Sequence, residues 1–125
     1  MKISFFTVIV VLLNVSNCST EHKFQEIKFG EGGGFTGAVT EYQIKTNGDV
    51  FKGEKKIKTI TNAEMKSIQN KIEKLSNESL QFNHPFNIYS FIETDKGKIT
   101  WGDPAFPEPK EIKELYDYLQ EIINQ

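Results

Sequence analysis

Apolar and polar residues alternate with a period of two after residue 38, which predicts a β-hairpin in this part of the chain. In the strand that opens this hairpin, one face carries Ala38, Thr40, Tyr42 and Ile44. The pair Asn47-Gly48 follows and favours a two-residue turn, because both residues tolerate positive φ. Such a turn would place Ile44 opposite Phe51, so that both side chains would lie on the apolar face of the sheet.

A looser alternation from Phe24 to Phe29 predicts a first strand ahead of this hairpin. Residues 30–37 then contain five glycines, and clustered glycines favour loops over regular structure. We therefore expect the first strand to end at Phe29 and a loop to extend from Gly30 to Gly37.

Apolar residues at spacings of three and four predict two helices. Thr61 and Glu64 form a capping-box pattern, in which each side chain bonds the other residue's backbone amide. The stripe of the first helix is Met65, Ile68, Ile72 and Leu75. Ser76-Asn77 is expected to end that helix, and Pro109 suits the first turn of the last one. The stripe of the last helix is Ile112, Leu115, Leu119 and Ile122.

Alternation in residues 87–93 and 98–102 predicts a second hairpin. A three-residue turn at residues 95–97 would place Phe91 opposite Trp101 as an aromatic cross-strand pair. The predicted order of elements is β-β-β-α-β-β-α. This order predicts an α+β fold, in which an antiparallel sheet of about five strands carries two helices packed on one face.

The N-terminal residues have the pattern of a secretory signal peptide. Met1-Lys2 precedes an apolar run from Ile3 to Leu13, which is too short to span a bilayer. The string Val15-Ser16-Asn17-Cys18 resembles the lipobox of bacterial lipoproteins. That resemblance implies cleavage before Cys18 and a diacylglycerol on its sulfur, whereas an ordinary signal peptide would leave a free thiol.

Three segments follow from this interpretation. Residues 1–17 are expected to be a lipoprotein-type signal peptide, and residues 18–23 the lipidated Cys18 and a polar tether. Residues 24–125 are long enough for a single α+β domain and too short for two. We expect an exported protein, anchored by lipid in the cell envelope at the outer membrane or on the periplasmic side.

Composition limits the kinds of partner. The chain has 15 basic residues, all of them lysine, against 17 acidic residues, and its formal net charge is −2 at pH 7. Nucleic-acid recognition relies on arginine forks and a basic face, so no nucleic-acid partner is expected. Membrane attachment is expected from the lipid on Cys18 rather than from a basic patch.

Residues suited to catalysis are few. His84 is the one credible general base, and a hydrolase would require an orienting partner such as Asp103. The histidines have no neighbours at the spacing of metal ligands, so neither a metal nor another cofactor is expected. Residues 32–37 spell G-x-G-x-x-G, but a strand follows them where a dinucleotide site requires a helix. We expect a protein that is not an enzyme, with a hydrolase based on His84 as the alternative.

The glycine-rich loop is the leading candidate for a binding site. Its candidate residues are Gly33, Gly34, Phe35, Thr36 and Gly37. They would present Phe35 and Thr36 to a partner, although glycines in a loop also serve turn geometry alone. Further candidates on neighbouring segments are His84, Trp101, Asp103 and Phe106. Trp101 is interpreted either as a core residue or as a surface anchor.

The string Gly33-Gly34-Phe35-Thr36-Gly37 after a strand, within this order of elements, resembles emfourin, a family of small protein inhibitors of thermolysin-type metalloproteases. The resemblance covers roughly residues 24–123 as a pattern. It implies that Phe35 and Thr36 would occupy a peptidase cleft. Residues 83–87 and 101–104 depart from the emfourin pattern and look closer to small lipoproteins of Gram-negative bacteria, which implies no particular activity.

Together these observations predict a non-catalytic envelope lipoprotein whose folded domain binds another protein. The partner would be a peptidase if the chain is an inhibitor of the emfourin type. The alternative is a structural or accessory lipoprotein that docks on an envelope complex.

Overall fold

A computed structural model describes residues 24–125, which form an α+β fold as predicted. The strands are β1 Glu26–Gly33, β2 Val39–Lys45, β3 Asp49–Lys52, β4 Lys55–Thr59, β5 Asn83–His84, β6 Ile88–Thr94 and β7 Gly97–Trp101. The helices are α1 Asn62–Glu73, α2 Asn77–Leu80 and α3 Lys110–Ile123. The expected signal peptide, Cys18 and the tether lie outside the described residues.

One sheet of seven strands organises the fold, in the order β4-β3-β2-β1-β6-β7-β5. Neighbouring strands are antiparallel except β5 and β7, which are parallel. The prediction of about five strands was wrong in number. The lysine-rich strand after residue 48 divides in two because Gly53, with φ +58°, turns the chain and donates its amide to Glu41 O at 3.1 Å. The short β5 was not predicted.

A single hydrophobic core lies between the sheet and the helices. The sheet contributes Ile27, Phe29, Ile44, Val50, Ile92, Ile99 and Trp101. The helices contribute Ile68, Ile72, Ile112, Leu115, Leu119 and Ile122. The buried stripes of α1 and α3 are those predicted from helical spacing, and both belong to the same cluster. Since this cluster joins five strands to the two longer helices, we expect a protein of residues 19–125 to fold by itself.

The first strand continues through the glycines to Gly33, so the prediction of a loop from Gly30 was wrong. A Cβ atom on Gly30 would lie 1.8 Å from Thr40 O, and one on Gly32 would lie 2.6 Å from the Tyr89 hydroxyl. The strand therefore needs glycine here because neighbouring strands and the Tyr89 ring approach its backbone closely. The sequence pattern alone does not distinguish such a strand from a loop.

The register of the first hairpin also differs from the prediction. Ile44 pairs with Val50, and Phe51 lies on the other face, with the Lys45 amine 4.6 Å from its ring. The loop has three residues rather than two, since Gly48, at φ +89°, donates its amide to Lys45 O at 2.9 Å. One added loop residue moves every later side chain of the strand to the opposite face.

In the second hairpin the turn has two residues rather than three. Thr94 pairs with Gly97, so Phe91 pairs with Thr100 instead of Trp101. The Thr94 hydroxyl accepts the amide of Lys96 at 3.1 Å and so helps to close the shorter turn. Trp101 consequently lies on the helix face of the sheet, and Phe91 lies on the other face.

The first helix begins as predicted and ends earlier. Both hydrogen bonds of the capping box between Thr61 and Glu64 are present. The helix ends at Glu73, and Ser76 is not part of its end but the N-cap of α2. The Glu111 carboxylate of α3 accepts hydrogen bonds from the Ser79 hydroxyl, the Ser76 hydroxyl and the Ser76 amide. This cluster ties α2 to α3.

We expect Glu111 to contribute to stability in a pH-dependent way. The hydrogen bonds from Ser79 and then Ser76 lower the pKa of its carboxyl below the ordinary value of 4.5. A group with a lowered pKa in the folded state stabilises above its unfolded pKa and loses that contribution as the pH falls through the folded value. Between about pH 5 and about pH 3, the wild type should therefore lose more stability than Glu111→Gln in urea unfolding followed by circular dichroism.

Glu114→Gln is the matched control for this experiment. Glu114 lies on the same helix and forms a surface ion pair with Lys110 at 3.5 Å, far weaker than a set of three hydrogen bonds. Its replacement should leave the acid sensitivity of the wild type in place. Equal acid sensitivity of Glu111→Gln and the wild type would contradict the assignment.

Candidate functional site

Three loops meet at one end of the sheet, where β1 ends and β2 and β6 begin. They comprise residues 34–38, 85–87 and 102–109. The Gly34 amide donates to Asn87 O at 2.8 Å and thereby joins the first loop to the second. The Asp103 amide donates to His84 O at 3.1 Å and joins the third loop to the same region. Loops that are far apart in the sequence thus form one continuous surface.

Most of the exposed large apolar side chains of the described residues lie at this end. They are Phe35, Val39, Phe86, Ile88 and Phe106, and we refer to these five residues as the apolar rim. The sixth such residue, Ile57, lies apart on β4. Scattered exposed apolar residues are ordinary, but a group of them at one end of a sheet is typical of an interaction surface, and the apolar rim is therefore the candidate binding site.

Phe35 occupies the tip of the first loop and is fully exposed. The loop is a tight turn, in which the Gly37 amide donates to Gly34 O at 3.2 Å and both glycines have positive φ. The Thr36 hydroxyl accepts the Ala38 amide at 3.3 Å, so Thr36 has a local role in the turn as well as an exposed position. The turn holds the Phe35 ring away from the body of the protein.

Gly33 fixes the place where this loop leaves the sheet. Its φ is +97°, and a Cβ atom there would lie 2.0 Å from Asn87 O, the atom that accepts the Gly34 amide. The close approach of two backbones, rather than loop flexibility, therefore requires glycine at this position. Gly34 differs, because a Cβ atom on it would have no neighbour within 4 Å.

His84 is part of an aromatic stack, with its ring centroid 4.7 Å from Phe82 and 4.2 Å from Phe106. The Asp103 carboxylate accepts the Ala105 amide at 2.9 Å and caps the third loop. The two residues are joined through backbone atoms, and the geometry gives the hydrolase alternative no support. His84 instead supports the partly exposed ring of Phe106.

Trp101 is a core residue. Its side chain is 7% exposed, and its ring meets Tyr116 edge-on at 5.0 Å. Of the two interpretations left open by the sequence, the structure favours the core, so Trp101 lies beneath this end of the sheet.

Three members of the apolar rim were not predicted from the sequence, namely Val39, Phe86 and Ile88. Val39 could have been identified from the sequence, because it shares the polar face of β2 with Glu41 and Gln43. An apolar residue out of phase with its strand indicates an exposed apolar side chain. Phe86 gave no comparable signal, since it lies in a short loop without periodicity.

The rest of the described surface has fewer features suited to binding a ligand. Among residues 24–125, no three His, Cys, Asp or Glu side chains come together as metal ligands. A groove of about 430 Å³ lies between α1 and the β2–β3 turn, at the end opposite the rim. Its Gln69 side chain is already bonded to the Phe24 amide and to Glu73. Within the same range, no helix has the length and apolar character needed to cross a membrane.

No protein-family model matches the chain, and comparisons with curated proteins and with solved structures find nothing similar to it. The apolar rim is therefore the feature of the molecule that bears most directly on its function.

Proposed function

We propose that this chain is a non-catalytic envelope lipoprotein whose apolar rim binds another protein. The observation that supports it best is the fully exposed Phe35 at the tip of a turn that the hydrogen bond from the Gly34 amide to Asn87 O ties to the second loop. Fully burying a phenylalanine side chain contributes about 1.5–3 kcal/mol. Within residues 24–125 that gain is not realised, and burial against a partner would supply it.

The arrangement of the rim favours a concave partner. Val39 pairs with Gly32 and Ile88 pairs with the adjacent Gly33. Paired residues share a face, and adjacent residues of a strand face opposite sides, so Val39 and Ile88 lie on opposite faces of the sheet. Apolar side chains on both faces of one sheet end form a wedge. A wedge buries more of its surface in a cleft than on a flat surface.

A peptidase inhibitor of the emfourin type is the specific form of this function that we propose. A rigid aromatic side chain on a tight turn loses little conformational entropy when it enters a cleft, which suits an inhibitor loop. Protein of residues 19–125 should lower the activity of at least one member of a panel of thermolysin-type peptidases, with a stoichiometric end point. Absence of inhibition across the panel would remove the inhibitor and leave the accessory lipoprotein as the proposed function.

Phe35→Ala should weaken binding to any such peptidase by at least about tenfold, a loss of about 1.4 kcal/mol. The control is Ile57→Ala, which removes an exposed apolar side chain away from the rim and should leave the inhibition constant unchanged. Equal inhibition by wild type and Phe35→Ala would show that the loop is not the contact surface.

Lipid anchoring at Cys18 has its own test. Mass spectrometry of the protein purified from its native envelope should find the chain beginning at Cys18, with a diacylglycerol on the sulfur. A free thiol, or a chain that retains residues 1–17, would contradict the anchor without affecting the proposal for the rim.

A further inference from the structure

Charge is distributed unevenly around the apolar rim. The segments that carry the apolar rim are residues 30–41, 84–90 and 101–109, and they contain no lysine. They contain four acidic residues, Glu31, Glu41, Asp103 and Glu108. The turn between β3 and β4 reaches the same end, where Gly53 donates its amide to Glu41 O at 3.1 Å, and Lys52 and Lys55 flank this turn. Counting Glu54 of the turn, five acidic residues therefore stand against two lysines at this end of the sheet.

Four lysines lie along the β3–β4 edge of the sheet. They are Lys52 of β3 and Lys55, Lys56 and Lys58 of β4. Lys56 pairs with Asp49 at 3.1 Å, and Lys58 donates to Ile122 O at 2.9 Å. Lysines on an edge strand oppose pairing with other strands, which accounts for their place on β4. Edge protection does not account for the excess of acidic residues at the rim.

We propose that the partner of the rim is a protein whose apolar cleft is bordered by lysine or arginine side chains. This inference rests on the proposed function and adds the charge of the partner to it. Glu31 and Asp103 would lie at the border of the contact while Phe35 enters the cleft. Acidic groups around an apolar contact attract a basic border at distances up to about 8 Å at physiological salt, and they repel an acidic one.

A second copy of the chain is a poor occupant of the rim. Two rims in a symmetric dimer would bring two sets of four carboxylates together, and like charges across an interface cost free energy. A dimer that joins the rim to the lysines of β4 would not close on itself. Sedimentation velocity of the wild type should therefore show a monomer, and association through the rim would overturn the proposal.

The test uses two synthetic hexapeptides as probes, one alternating leucine with lysine and the other alternating leucine with glutamate. Each is titrated into isotopically labelled protein of residues 19–125 and followed by amide chemical shifts. The lysine peptide should shift amides of residues 34–39 and 86–88, and its affinity should fall at least about threefold between about 50 mM and about 300 mM salt. The glutamate peptide should leave these amides unshifted.

Two quadruple variants separate the rim carboxylates from net charge. The rim variant is Glu31→Gln, Glu41→Gln, Asp103→Asn and Glu108→Gln. The control variant is Glu26→Gln, Glu93→Gln, Glu114→Gln and Glu121→Gln. The rim variant should bind the lysine peptide about tenfold more weakly, and the control should bind it like the wild type.

The outcomes separate this inference from the proposed function. If both peptides shift the rim equally, or if the two variants weaken binding equally, the basic partner is overturned while the rim remains a binding surface. If the lysine peptide shifts residues elsewhere or none at all, the basic partner is likewise overturned. Binding by the rim to a protein is judged separately, by the effect of Phe35→Ala on the peptidase panel.

Discussion

Phe29→Ala should lower the free energy of unfolding by about 3–5 kcal/mol, the usual cost of removing a phenylalanine from a packed core. The Phe29 side chain is completely buried, stacks on Tyr42 at 5.6 Å and meets Tyr116 edge-on at 6.5 Å. Alanine would leave a cavity between β1, β2 and α3 that these rings cannot fill. Urea unfolding of residues 19–125, followed by circular dichroism, measures the change.

Phe35→Ala is the matched control for this substitution, since both changes remove the same side chain. Phe35 is fully exposed, so its loss should change the free energy of unfolding by less than about 0.5 kcal/mol. The pair therefore separates stability from binding. A loss of stability in Phe35→Ala similar to that in Phe29→Ala would mean that the ring packs against the protein, and the binding proposal would lose its main support.

Gly33→Ala should lower the free energy of unfolding by more than about 3 kcal/mol. Alanine is strained at φ +97°, and its Cβ atom would also lie 2.0 Å from Asn87 O. The backbone must move to relieve that contact, which breaks the hydrogen bond from the Gly34 amide to Asn87 O. The first loop would then detach from the second.

Gly34→Ala isolates the conformational part of this cost. Gly34 also has positive φ, at +82°, but a Cβ atom there meets nothing within 4 Å. Its substitution should cost only about 1–2 kcal/mol, the penalty of the left-handed backbone. Equal losses for the two glycines, measured by urea unfolding, would show that the close approach at Gly33 is unimportant.

Helices and fold class could be predicted from the sequence because their signals are local. The capping box at Thr61 and the stripe ending at Ile122 depend on residues within one helix, and both were confirmed. The predicted registers of the two hairpins were wrong for a specific reason. Asn47-Gly48 indicates a turn but leaves its length open, and a change of one residue exchanged Phe51 for Val50 in the core.

The candidate site was partly predictable for a similar reason. Glycine spacing identified the loop around Phe35, whose residues are consecutive in the chain. The apolar rim also requires Phe86 and Ile88, which reach that loop only through the pairing of β1 with β6. A contact between residues some fifty positions apart leaves no periodicity in either segment, so no local pattern could predict it.

The direction of β1 has a consequence for how the protein would work at a membrane. The strand begins at Glu26, next to the residues that follow the expected lipid attachment, and it ends at Gly33 beside the rim. Eight extended residues span about 26 Å. Lipid anchoring ahead of Phe24 would thus place the start of β1 near the bilayer. Phe35, at the opposite end of the strand, would then project into the aqueous space, where soluble proteins could reach it.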